Sequence, residues 1–421
     1  MDLRDMIIRG GQGGQGGQDG GTAPSVEWND VTFIDYDGSV LYSYSLEEAQ
    51  ALTQLPALPE RDGLICQGWN WTLEEIKALN RPVTVGAMYI TDDGATRLHV
   101  KIKSMGGLRP ELVFSQTVAN GVSIDWGDGS AAETVNGTGV RNALHTYTGP
   151  GDYIISLMPQ DGCELSFDGD LLGAYNLYTN MLQKIHIGKN VTSIKASGFN
   201  KYCSLASITI PDSIVSIGKR GFGDCFSLAS ITIPNSIMSI EEYVFYNCNS
   251  LTSIAIPNSI TSIGNNAFQQ CYSLRSITTP DNTTSIGNLA FQSCYLLESI
   301  AISDNIISIG TNAFQSCNFL TSITIPSGIT SIGNYTFKGC YSLTSITIPS
   351  GVTSIGSDAF SNCCGMSCYD FSACTSVPTL ANAGAFLNIR SDCQILVPAA
   401  LFDEWCSATN WIIDKNKIIA V

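Results

Sequence analysis

The stretch FQSCNFLTSITIPSGITSIGNYTFKGCYS, Phe314 to Ser342, nearly restates itself. Phe314-x-x-Cys317 returns as Phe337-x-x-Cys340, and Leu320-Thr-Ser-Ile323-Thr-Ile325-Pro326 returns as Leu343-Thr-Ser-Ile346-Thr-Ile348-Pro349. Working outward, the aromatic position recurs at Phe199, Phe222, Phe245, Phe268, Phe291, Phe314, Phe337 and Phe360, always 23 residues apart. Such a period means that each unit is one supersecondary turn that buries its apolar face only by stacking on its neighbours. In each unit Leu, Ile and Ile (Leu251, Ile254 and Ile256, for example) point inward from a short strand. Pro257 ends that strand, since it cannot donate to a ladder. A second apolar pair follows in Ile260 and Ile263. Gly264 is then expected to permit the turn into one helical turn carrying Ala267, Phe268 and Cys271.

A period of this length with Leu-x-x-Ile-x-Ile marks a leucine-rich-repeat solenoid. The pattern resembles the BspA-like, or Treponema-type, leucine-rich repeat, whose consensus LTSITIPxxVTSIGxxAFxxCxx is met nearly verbatim over close to half the chain. Three departures, Thr279 and Ser303 for Ile and Pro and Glu241 for Gly, are expected to loosen their rungs locally. The solenoid is placed at 161–363, with a degenerate first unit at 163–202. The tail 364–421 abandons the period and holds Trp405 and Trp411. It reads as a C-terminal cap, because the last rung of a solenoid otherwise exposes its core. The arrangement looks like leucine-rich-repeat proteins of gut anaerobes and of the phages and prophages that infect them.

Upstream, residues 1–24 include GGQGGQGGQDGG and read as a flexible tether or attachment segment, too poor in side chains to bury a core. Residues 25–96 read as a small α/β module. Val31–Tyr36 and Val40–Tyr44 alternate around Asp37-Gly38 as a hairpin, and Ser45 caps a helix through Leu52. Thr72–Leu79 gives a second helix and Val83–Thr91 a strand, with Trp69 and Trp71 as packing residues. Residues 97–160 read as all-β: Val122, Ile124 and Trp126 alternate into a Gly127-Asp128-Gly129-Ser130 turn, and Tyr153–Leu157 is another strand. The combination IDWGDGS … HTYTGPGDYIISL resembles the PKD domain, an Ig-like β-sandwich that serves as a spacer or adhesion module in extracellular proteins. The expected fold class is therefore β-rich and multidomain. A small α/β module precedes a PKD-like (Ig-like) β-sandwich, a leucine-rich-repeat solenoid with 23-residue repeats, and a C-terminal cap.

A net charge of -16 and a pI near 4.5 argue against nucleic acid and anionic membranes as partners. No apolar run approaches the ~18–20 residues of a membrane-spanning helix, so no membrane insertion is expected. Met6-Ile7-Ile8 is too short an apolar run for a signal peptide, which points away from Sec export.

Only three histidines occur, and no G-x-S-x-G, H-E-x-x-H, Walker or dinucleotide motif is present. No catalytic residue, metal site or cofactor is expected. Cys203, Cys225, Cys248, Cys271, Cys294, Cys317, Cys340 and Cys363 read as eight cysteines in register. Rungs stack at ~4.8 Å, inside the Cα range that disulfides tolerate, but identical rungs hold their Cα–Cβ vectors parallel where a disulfide needs them converging. A reduced packing ladder on the Phe face is favoured, with disulfides or metal as the alternatives. Cys363-Cys364-x3-Cys368-x5-Cys374 superficially suggests zinc but lacks paired C-x2-C knuckles. Asp125 and Asp128 are taken as turn residues rather than a calcium corner.

The candidate ligand face is the outward side of the repeat strands. Ser207, Ser230, Ser253, Ser276, Ser299, Ser322 and Ser345 form one column; Thr209, Thr232, Thr278, Thr324 and Thr347, with Ala255 and Ala301, form the next. Between Cys203 and Phe360 only 12 of 158 residues are charged, so this face is neutral and hydroxyl-rich. Such an array suits a repetitive ligand such as a glycan, or else its hydroxyls merely bond one another across rungs and specify no partner. Large sugar-stacking aromatics are absent from these columns.

The expected function is non-enzymatic adhesion and surface display. The leading form is a phage fibre- or spike-like protein on the virion surface, whose repeat tip meets a cell-surface glycan or protein. Its N-terminal segment would hold other virion proteins, and a homo-oligomer is among the expected assemblies. The alternatives are a bacterial cell-surface or secreted adhesin and, more distantly, a decoration protein without a ligand.

Overall fold

The computed structural model describes residues 31–34, 40–58, 64–69, 73–78, 83–91, 94–102, 110–167, 171–172, 181–411 and 415–421. The tether 1–24, the Asp37-Gly38 turn, Trp71 and the Trp69 side chain lie outside the described residues. The chain forms two compact units, one ending at Asp92 and one running from Asp93 to Val421.

The first unit contains β1 (Val31–Ile34), β2 (Val40–Tyr44), β3 (Leu64–Trp69) and β4 (Val83–Thr91) in the order β2-β1-β4-β3. β1 pairs antiparallel with β2 and parallel with β4. β3 is an addition to the expected elements: its register shifts between Cys66 and Gly68, breaking the alternation that would have marked it. Helix α1 (Leu46–Gln50) starts from a full capping box, in which Ser45 Oγ accepts from Glu48 N and Ser45 N donates to Glu48 Oε2 at 2.9 Å. Ala49 from α1 and Ile76 from α2 (Leu73–Lys77) cover Val31, Phe33 and Val85.

In the second unit, β5 (Thr96–Ile102), β6 (Glu111–Gln116), β7 (Val122–Asp125), β8 (Glu133–Val135), β9 (Gly139–Leu144) and β10 (Gly151–Pro159) form a two-sheet sandwich. β11 (Leu165–Phe167), β12 (Leu182–His186), β13 (Val191–Ile194), β14 (Ser207–Thr209) and β15 (Ser216–Ile217) follow. The sheets run β14-β12-β5-β10-β7-β8 and β15-β13-β11-β6-β9, so sandwich and solenoid share both. The junctions are antiparallel, Leu98 opposite Ile185 and Gln116 opposite Leu165, and the solenoid pairings beyond them are parallel. The sandwich thus covers both ladder edges that a free first rung would expose.

Each later rung adds 23 residues on two strand faces. On the first, Ile185 pairs with Ile208 and Ile277 with Ile300. On the second, where the sequence suggested only an apolar pair, Ile240, Ile263, Ile286 and Ile309 pair in succession. The third side is not helical. Asn266 and Gln270 take φ of 59° and 63°, and their equivalents Leu289 and Ser293, then Asn312 and Ser316, do the same. Two left-handed residues per turn bend the chain sharply, and the amides reach the next rung instead, Phe268 N donating to Ala290 O at 2.8 Å. The glycine is needed on several rungs for a different reason than φ: a Cβ on Gly310 would lie 2.4 Å from Asn288 N of the preceding rung, whereas Gly333 has 3.2 Å of clearance and Glu241 fills the position on its own rung.

The departures at Thr279 and Ser303 do not loosen the array. Ser303, lacking the proline ring, has a backbone N–H to satisfy, and it donates to Thr279 Oγ1 at 2.8 Å. Thr279 Oγ1 in turn donates to Ala301 O at 3.3 Å. The two substitutions compensate one another.

Inside, the Phe rings stack from Phe199 to Phe360 and on to Phe386, with centroids 5.4–5.8 Å apart. The tail loses the sequence period but continues to stack. Tyr369 pairs with Ile346, Ile395 with Tyr369 and Ile418 with Ile395, so one 26-residue rung is followed by one of 23. Helix α3 (Phe402–Ser407) sets Trp405 against Phe371 and Trp411, at 5.3 and 5.1 Å, over the end of the core.

Candidate functional site

All twelve candidate residues are exposed on the first strand face: Ser207, Thr209, Ser230, Thr232, Ser253, Ser276, Thr278, Ser299, Ser322, Thr324, Ser345 and Thr347. Parallel pairing holds them in register, Ser276 opposite Ser299 and Thr278 opposite Ala301. None of the twelve hydroxyls bonds to any described residue. The threonines of the adjacent column behave otherwise: Thr252, Thr321 and Thr344 each donate to the carbonyl 23 residues earlier, at 3.2–3.4 Å. Thr261, Thr284 and Thr353 do the same on the second face. Cross-rung bonding therefore consumes the neighbouring hydroxyls and leaves the candidate ones available.

Over the later rungs this face sinks into a shallow groove of about 600 Å³, floored by Ser322, Thr324, Ser345 and Thr347 and edged by Asp304 and Ala373. The charges beside the face are few. Arg275 and Glu298, on adjacent rungs, pair with each other at 2.7 Å.

The cysteine ladder has seven members, not eight. Cys203 is one residue out of step, and the buried Tyr202 takes the ladder position, its hydroxyl accepting from Leu172 N at 2.6 Å. The other seven are more than apolar filling. Cys225, Cys248, Cys271, Cys294, Cys317, Cys340 and Cys363 each donate from sulfur to the carbonyl of the Phe one rung earlier, at 3.0–3.2 Å. Burial pushes the thiols up, Cys271 and Cys363 to about 12, so they remain protonated donors. The Cys363–Cys374 run is dispersed: Cys364 is exposed on Asn388 O, Cys368 lies on a strand and Cys374 is buried. Among the described residues no three metal-ligating side chains converge.

Asp125 and Asp128 hold turns, accepting from Gly127 N at 2.9 Å and Ser130 N at 3.0 Å. Asp128 also meets His145 Nε2 at 2.7 Å. Hydrogen bonding from Ser130, with His145 adding to it, lowers its carboxyl to about 2. His145 stacks on Trp126 at 4.8 Å, and Tyr147 donates to Trp126 O at 2.8 Å. The WGDGS and HTY segments are thus one structural clasp that ties the end of β7 to the end of β9, one strand from each sheet of the sandwich.

One feature of the surface was missed from sequence. Phe226, Tyr272, Tyr295 and Tyr341 each directly follow a ladder cysteine, and Phe319 lies one residue further on. The 23-residue spacing of Tyr272 and Tyr295 is the sequence signal that marks it.

Residues 171–297 and 238–367 match the BspA type leucine rich repeat region, six copies of it. The repeats are similar to the BspA type. The matched span is just under half of the chain. No curated protein matches. Among solved structures, a leucine rich cell surface protein of Faecalibacterium prausnitzii is similar at 24% identity, covering 63% of this chain and 88% of its own, with a TM-score of 0.31. A leucine-rich repeat protein of Bacteroides ovatus is similar at 21% identity over 66% and 90%, TM-score 0.32. The T. pallidum leucine rich repeat protein follows at 22% identity over 49% and 84%, TM-score 0.34. Among the described residues no helix is long and apolar enough to cross a membrane.

Proposed function

We propose that this protein is a non-enzymatic recognition and display protein that holds a cell-surface ligand, glycan or protein, against its first strand face. The observation that carries this reading is the set of twelve exposed hydroxyls that make no bond to any described residue, while neighbouring hydroxyl columns are spent on the backbone. A ligand that accepts and donates hydrogen bonds can use them without breaking an internal bond. The sandwich, resembling a PKD spacer, supports the same reading because it shares both sheets with the solenoid and so presents the face from a stiff base.

The carrier is a virion fibre or spike, or a bacterial surface; the face would meet its ligand in the same way on either. Mass spectrometry of purified particles against surface-shaved cells separates them. For the binding claim, the full chain and a Ser322→Ala/Thr324→Ala/Ser345→Ala/Thr347→Ala variant are compared on whole cells. Binding that drops about ten-fold or more, with an unchanged unfolding midpoint, supports the reading. Equal binding by the two proteins refutes it.

A further inference from the structure

We propose that Phe226, Tyr272, Tyr295, Phe319 and Tyr341 form an aromatic rail that binds a neutral, extended polysaccharide laid along the solenoid axis beside the hydroxyl face. This rests on the reading of that face as the ligand face and assigns its ligand class. The rings follow successive rungs with two gaps: Tyr272 and Tyr295 are on adjacent rungs, Phe319 N donates to Tyr295 O at 3.2 Å, and Phe226 and Tyr341 stand one rung beyond Asn249 and Asn318. Four of the side chains stay substantially open, Phe226 at 38%, Tyr295 at 40%, Phe319 at 54% and Tyr341 at 51%. A fold that buries nine Phe rings in a continuous stack leaves these rings outside it, and exposed aromatics in a row are the informative exception to ordinary burial.

The chemistry beside the rail selects the partner. Tyr341 lies four residues before Ser345, so the chain that carries the aromatic ring runs on within one rung into the groove hydroxyls of Ser345 and Thr347. Sugar rings offer this pair of features in mirror form, an apolar C–H face for an aromatic ring and hydroxyls for hydrogen bonds. Tyr272 and Tyr295 stack on each other with centroids 5.0 Å apart and planes parallel, so the open part of Tyr295 and the rings of Phe226, Phe319 and Tyr341 are what a sugar can touch. Asn249 and Asn318 occupy the two rungs without an aromatic at the column position and put amides there. Charge excludes the acidic polymers: the net charge is -16, and Arg275 is already paired with Glu298. A protein partner would be expected to seat its anchors in deep desolvated pockets, and the groove here is shallow and open.

The test is affinity electrophoresis of the full chain in gels containing mixed-linkage β-glucan, galactomannan or polygalacturonate. Retardation by a neutral polymer and none by polygalacturonate is expected. Tyr272→Ala/Tyr295→Ala/Tyr341→Ala, and the milder Tyr341→Ala alone, should weaken it, the triple variant by about ten-fold or more with an unmoved unfolding midpoint. No retardation by either neutral polymer, or retardation that survives the triple variant, overturns the inference. Whole-cell binding that the hydroxyl-face variant abolishes and the aromatic variant preserves overturns the inference while leaving the proposed function standing. Absence of any cell binding sinks both.

Discussion

Thr279 and Ser303 provide a sign-reversing test of how the rungs are held. Thr279 is nearly fully buried and its hydroxyl accepts the backbone N–H of Ser303, itself buried, at 2.8 Å. Thr279→Val keeps the side-chain shape but leaves that N–H without an acceptor, which costs about 1–3 kcal/mol. Exchanging the hydroxyl for a buried methyl returns roughly 0.8 kcal/mol, so the net loss should be about 1–2 kcal/mol. Ser303→Pro removes the N–H itself and restores the residue that Pro257, Pro280 and Pro326 supply on other rungs. In that background Thr279→Val orphans nothing and should stabilise by about 0.5–1 kcal/mol. The two effects of one substitution thus have opposite signs, with a coupling of about 2 kcal/mol. Urea unfolding of the four proteins measures it, provided the m-values agree. Additivity to within about 0.5 kcal/mol would show that the pair is not a compensated unit, and that the rung tolerates both departures for some other reason.

Other perturbations probe the ladders and the clasp. Cys294→Ser should cost no more than Cys294→Ala in unfolding experiments, because Phe268 O awaits a donor at 3.1 Å; a serine penalty exceeding that of alanine by ~1–3 kcal/mol would return the thiol to apolar filling. Maleimide labelling of the native protein, read by mass spectrometry, should modify the exposed Cys364 and leave the seven ladder thiols protected, since burial keeps them protonated. Leu289→Asn should stabilise by about 1 kcal/mol in urea unfolding, because φ of 57° strains a leucine and suits an asparagine. The Asp128 carboxyl is lowered to about 2 in the fold, so its stabilisation is complete above its unfolded value and disappears as pH falls from about 4 toward 2. Asp128→Asn should therefore flatten the acid limb of the melting temperature over that range and leave the neutral slope unchanged.

The stacking was legible because identical side chains recur at a fixed step, and Leu251, Ile254, Ile263 and Phe268 are all buried as their period demanded. What escaped was information carried by the backbone. Gly310 looks like a turn residue in sequence, and only the 2.4 Å approach of Asn288 N shows why a side chain is excluded. Leu289 gives no local hint of a left-handed conformation; neighbouring rungs impose it by fixing where its N–H and C=O must point. The tail was opaque for a related reason. Tyr369 and Ile395 stack in register across a 26-residue loop, and insertion on one side of a rung destroys the period without disturbing the strand. At the ligand face the columns were readable, whereas the division between spent and free hydroxyls was not. Ser253 and Thr252 are adjacent in sequence and equally exposed, yet only the Thr252 hydroxyl reaches the previous rung.

That division also explains how the face can serve recognition without endangering the fold. Rung-to-rung cohesion comes from the Phe stack, the thiol–carbonyl bonds, the third-side amides and the Thr columns whose hydroxyls bond the previous rung. None of these uses the outward Ser-x-Thr hydroxyls. The array itself contains the experiment: Ala255 and Ala301 stand in the Thr column, and Ala301 still pairs opposite Thr278 with the ladder unbroken. Because repeat stability is close to a sum of rung and interface contributions, a substitution that touches neither is thermodynamically silent. The outward hydroxyls can therefore change with the ligand while the 23-residue framework stays fixed. Replacing the four groove hydroxyls with alanine should accordingly leave urea unfolding within about 0.5 kcal/mol of the parent. A larger loss would mean that the face belongs to the scaffold and that its hydroxyls are not free for a partner.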